Sequence, residues 1–137
     1  MHPRQLAILA SSAVLTASLT ACGGPNPADT CAEAYTILKD AKIDPQGWAL
    51  NRGAPVSDTE GKQKVEALNR VAALETDDKD LQTSFGNIKS GAQSYQEELD
   101  RLATEPGREP NVQAMGAAVG FFLISLSQRC DQKGFKP

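Results

Sequence analysis

The chain predicts an all-α fold, a small up-and-down antiparallel four-helix bundle, and three observations carry that expectation. Apolar residues recur at helical spacing in four separate segments. The breakers Pro45, Gly47, Gly53, Pro55, Pro106 and Gly107 fall between those segments. The second and third connections are short, which favours antiparallel neighbours. At 137 residues there is enough sequence for one core and no more. Hydrophobic residues at 40% and charged residues at 23% are ordinary for a globular protein, whereas aromatics at 5% leave the core to aliphatic side chains.

The first segment runs from about Thr30 to Lys42, with Asp29 or Thr30 as N-cap and Cys31, Ala34, Tyr35 and Leu38 on one face. Residues Ile43 to Val56 read as a long connection in which Trp48 packs. The second segment opens with the capping box Ser57-Asp58-Thr59-Glu60, in which hydroxyl and carboxylate each take an otherwise orphan backbone donor. Val65, Leu68, Val71, Ala72 and Leu74 give it a core stripe. The third segment carries the clearest period, Leu81, Phe85, Ile88, Ala92, Tyr95, Leu99 and Leu102. Pro106, Gly107 and Pro110 separate it from the fourth, Asn111 to Cys130, which is apolar nearly all round from Ala114 to Leu126. A helix of that kind is buried on several sides, and the apolar run is short for a membrane span. Gly116 and Gly120, four apart, let a neighbouring backbone come close.

The start of the chain has a different character. A weakly basic opening, Met1 to Arg4, leads into an apolar stretch from Leu6 to Leu19, the outline of a signal peptide. It ends in Leu19-Thr20-Ala21-Cys22 followed by glycine, which resembles the lipobox of bacterial lipoproteins. The resemblance spans about the first 24 residues and implies cleavage before Cys22 and lipidation of Cys22 by diacylglycerol with fatty acyl chains such as palmitate. It further implies an exported protein anchored to the outer face of the cell membrane, with the membrane as its first partner. The expected organisation is 1–21 removed signal peptide, 22–29 lipidated cysteine and tether, and 30–137 bundle domain. Within the tether, Gly23-Gly24-Pro25-Asn26-Pro27 suits neither a helix nor a paired strand. The competing reading is a secreted protein cleaved near Ala21, with Cys22 a third thiol.

Three cysteines in an exported chain leave one over. Acylation of Cys22 accounts for it, which leaves Cys31 and Cys130 to pair in an oxidising compartment. In a four-helix bundle the start of the first helix and the end of the fourth lie at the same end. The two expectations therefore support each other, and the bundle is closed by one disulfide.

The one histidine, His2, belongs to the leader. Without it, histidine-activated nucleophiles, histidine-ligated zinc and histidine pH switches lose their required group. The acidic clusters Asp77, Asp78, Asp80 and Glu97, Glu98, Asp100 lack the pattern of a calcium loop, and negative charge at a helix start has its own electrostatic reason. No glycine loop for phosphate is present, so no metal and no cofactor is expected. After loss of the leader, 13 basic and 17 acidic residues remain, a net charge of −4. Because Lys62, Lys64, Arg70 and Lys79 are interleaved with acids, nucleic acid is not an expected partner.

A non-enzymatic module of the cell envelope, binding or scaffolding another component, is the function this pattern suggests. With tether and disulfide at one end, the connections Ile43 to Val56 and Thr104 to Pro110 meet at the other, carrying Trp48, Arg52, Glu105, Arg108 and Glu109. Trp48, Arg52 and Arg108 are the candidate partner contacts, since aromatics and arginines dominate interface hot spots. Against this, Trp48 can simply cap the core under its loop. The alternative function is carriage of a small apolar ligand between the third and fourth helices, where Gly116 and Gly120 leave room.

Overall fold

The computed structural model describes residues 24–53 and 57–137. The leader, Cys22 and Gly23, together with residues 54–56, lie outside the described residues. Among those described there are five helices and no strand: α1 (Pro27–Asp40), α2 (Pro45–Asn51), α3 (Asp58–Ala72), α4 (Lys79–Leu102) and α5 (Glu109–Gln132). The fold is all-α as expected, with one more helix than the four apolar-periodic segments.

Helix α1 starts three residues before the expected Thr30. Asn26 is its cap, its side chain accepting from the Ala28 amide at 3.0 Å, and Pro27 occupies the first turn, where a missing N–H costs nothing. Pro27 therefore belongs to the helix and not to the tether. The helix ends by a turn in which Ile43 N–H bonds back to the Leu38 carbonyl at 2.8 Å and Lys42 N–H to that of Lys39 at 2.9 Å. That pair of bonds is a Schellman motif, which places Lys42 in the left-handed region at φ 56°.

The additional helix, α2, lies inside the expected connection. Asp44 caps it by accepting from the Gly47 amide at 2.6 Å, and Pro45 again fills the first position. At seven residues it buries only Pro45 and Trp48, too few to create a stripe. In α3, the Ser57 hydroxyl accepts from the Glu60 amide at 3.3 Å, but the Glu60 carboxylate pairs with Lys64 at 3.1 Å, so that only half of the capping box forms. Helix α4 is capped by Asp78, which accepts from the Leu81 amide at 3.0 Å, and buries Leu81, Phe85, Ile88, Ala92 and Tyr95 as its period predicts.

Helix α4 packs against α3 on one side and α5 on the other, α2 lies along α5, and α1 touches both α3 and α5. The core is mainly aliphatic, with Phe85, Tyr95 and Trp48 as its large rings. By length and composition α5 is the one helix among the described residues that could cross a membrane. It is packed as a domain helix, burying Val112, Val119, Leu123 and Leu126. It is not buried all round, however, because Phe121 on its outer face is 70% exposed. Cys31 and Cys130 form a disulfide with Cα atoms 5.6 Å apart, joining the second turn of α1 to the last turn of α5.

Candidate functional site

The position of α2 decides what each expected site residue does. Its Trp48 is 4% exposed, and the indole N–H donates to the Gly116 carbonyl of α5 at 2.8 Å. The ring stands edge-on to Tyr95 at 5.5 Å, and the Lys64 ammonium lies over it at 5.5 Å. Just beyond α2, the Gly53 carbonyl accepts from the Tyr95 hydroxyl at 3.0 Å. Burial, helped by the charge of Glu60, pushes the Tyr95 phenol up to about 12. Trp48 thus belongs to the core and presents no surface to a partner, because burying the ring while satisfying its N–H is better than leaving it in water.

The two other candidate contacts separate from it. Arg52 is exposed, in the left-handed turn that ends α2. The Arg108 guanidinium is partly buried between Glu98 at 3.4 Å and Glu105 at 3.2 Å, clamping the turn between α4 and α5.

The expected ligand space at Gly116 and Gly120 is occupied by the chain itself. A side chain on Gly116 would collide with the Arg52 carbonyl oxygen, and one on Gly120 would sit 2.8 Å from the Ala49 Cα. Across the α4 and α5 interface, Gly91 likewise receives the ring of Phe122, which would lie 2.9 Å from an added Cβ. The glycines bring helices into contact, as their spacing suggests, and leave no cavity there.

In the acidic clusters, Asp78, Asp80, Glu98 and Asp100 have structural partners. Asp78 caps α4 and pairs with Lys133 at 2.7 Å, while Asp80 reaches Arg129 at 3.6 Å. The Lys133 ammonium and the Leu81 amide hold the Asp78 carboxyl below its usual range. Glu98 pairs with Arg101 and Arg108, and Asp100 accepts from Gln96. Among the described residues no group of three or more such ligands is arranged for a metal ion.

A groove of about 650 Å³ lies open on the α1 side of the molecule. One wall is the α1 stripe Ala32, Tyr35, Thr36 and Lys39, continuing into the corner at Lys42, Ile43 and Pro45. The other is Ser127 of α5 with Phe135 and Pro137 of the C-terminal tail. The tail is folded back by a second Schellman turn, in which Phe135 N–H bonds to the Cys130 carbonyl at 3.0 Å and Gly134 takes φ 85°. The Tyr35 hydroxyl donates to Ser127 Oγ at 2.7 Å, and its ring meets Phe135 at 5.1 Å.

The same turn therefore builds both ends of the groove, with glycine in the left-handed position at one end and Lys42 at the other. A non-glycine residue there costs about 1–2 kcal/mol. A cation near a helix C-terminus returns only about 0.3–1 kcal/mol. A volume of this size falls within the range of about 300–1,000 Å³ typical of small-ligand sites. Sequence reasoning missed the groove. The available signal was Gly134-Phe135, a helix stop followed by an aromatic that must pack back on its own helix. No family model, curated protein or solved structure matches the chain.

Proposed function

We propose that this protein is a lipid-anchored, non-catalytic binding module on the outer face of a bacterial cell membrane, and that it binds a small apolar ligand in the α1 groove. The observation that carries the reading is the groove itself, an open and mostly apolar recess whose walls are already in place. The leader and lipobox at Leu19 to Cys22 supply the anchor, and the lack of histidine after the leader speaks against a histidine-activated nucleophile. The architecture is read as an up-and-down bundle of four arms, the first broken at residues 41–44 into α1 and α2.

The test is to isolate the mature protein from its own envelope and examine it by mass spectrometry. Diacylglycerol on Cys22 and a bound small apolar molecule are expected, and an Ala32→Trp variant, with its groove filled, should lose the second and keep the first. An unmodified Cys22 would remove the anchor, and ligand retention by the filled variant would remove the groove.

Scaffolding of a second envelope protein is favoured by a separate observation. Leu50 of α2 is 86% exposed, and Phe121 lies outward on the adjoining helix, α5. Loss of a cross-linked partner on Leu50→Ser with Phe121→Ser, with the small ligand unaffected, would assign that role to these two side chains.

A further inference from the structure

The groove differs in charge from end to end. At the tail end its surface is the hydrocarbon and rings of Ala32, Tyr35 and Phe135. At the corner end stand Lys39 and Lys42, both exposed, and neither is paired with an acid among the described residues. The one acid among the lining residues, Asp44, accepts from the Gly47 amide in the cap of α2 and is oriented by that bond without losing its charge. Lys42, moreover, occupies a backbone position that glycine takes without strain, as Gly134 does at the other end. The strain is explained if the ammonium has a task at the mouth of the groove, an inference that runs from the conformational outlier to its use.

Resting on the groove as the binding site, we propose that its ligand is a long-chain carboxylate. The carboxylate lies between the Lys39 and Lys42 ammonium groups, and the hydrocarbon runs along Tyr35 towards Phe135. The site has the volume of one small ligand, which fits a single acyl chain better than a two-chain phospholipid. Two lysines suit a compact anionic head that needs charge but no forked geometry. The overall negative charge of the protein makes this local cationic pair the more selective, since other anions meet repulsion elsewhere on the surface.

The experiment uses the mature lipoprotein in vesicles of neutral phosphatidylcholine, with a fatty acid carrying a photoactivatable group near its methyl end. Cross-links to Tyr35 or Phe135 are expected. Free fatty acid should compete for them about five- to tenfold better than its primary amide, the ratio expected of two partly exposed ion pairs. That preference should shrink at high salt. In Lys39→Gln with Lys42→Asn, chosen because asparagine tolerates the left-handed turn, acid and amide should compete equally while the cross-link site is unchanged. Equal competition in the unaltered protein would overturn the carboxylate assignment and leave the groove as an apolar site. Cross-links that avoid the groove altogether would overturn both.

Discussion

Two recesses lie along α5, and they have opposite fates. At Gly116 and Gly120 the absence of side chains admits the backbone of α2, whose Trp48 then bonds to the Gly116 carbonyl. About two turns further on, Ser127 faces Tyr35 and Phe135, whose rings hold the walls at side-chain distance and leave the recess unfilled. The first recess is closed by the chain and contributes to stability. The second is left open and can contribute to binding. The difference lies in residue size along one helix, so each recess can be altered without touching the other.

The largest expected effect falls on both recesses at once. Replacing Cys31 and Cys130 by serine opens a loop with a sequence separation of 99 and should cost about 4.7 kcal/mol by the chain-entropy argument, read from denaturant unfolding. Retention of most of the stability would mean that the unfolded chain is already constrained without the bridge. Trp48→Ala acts on the closed recess alone. It should cost about 3–5 kcal/mol, the range for deleting a large buried ring, whereas a loss under about 1 kcal/mol would show that α2 is not needed to close the core.

A smaller contrast separates packing from propensity. Gly86 of α4 has nothing within 4 Å of an added Cβ, so Gly86→Ala should stabilise the protein by about 0.5–1 kcal/mol. Gly116→Ala must displace Arg52 and should destabilise it by about 1–3 kcal/mol. Thermal melts of the two variants moving in the same direction would contradict the close approach of α2.

At ordinary pH the smallest effect is the titration of the closed recess, which emerges only in strong alkali. Tyr95 ionises near 12 when folded against an ordinary 10.0, so the folded state holds its proton more tightly. Its contribution is complete below pH 10.0 and declines as pH rises towards 12, by at most about 1.4 kcal/mol per unit. Tyr95→Phe should flatten that decline, read from denaturant unfolding as the pH is raised.

Much of the closed recess was legible in the sequence. The α4 stripe from Leu81 to Tyr95 repeats over several turns, the spacing of Gly116 and Gly120 announces a close approach, and the disulfide follows from the cysteine positions. Helix α2 escaped because two turns with two buried residues generate no period, although Asp44-Pro45 before Gly47 is a cap and first turn in plain view. The cap at Asn26 escaped because Pro25 and Pro27 read as breakers, when a proline is at home in a first turn. The apolar run of α5 says nothing about which side is covered, and Phe121 shows that composition alone overstates burial. The groove was least legible, because its walls come from opposite ends of the chain and from a tail with no period at all.

The disulfide sits at the foot of that groove. Cys31 immediately precedes Ala32 on one wall, and the Cys130 carbonyl anchors the turn that brings Phe135 to the other. For an exported chain this sets an order of events. While its thiols are reduced, nothing covalent holds the two walls in register; oxidation joins them. Under the export and ligand binding proposed above, oxidation comes before capture, and a finished site would form only on the far side of the membrane.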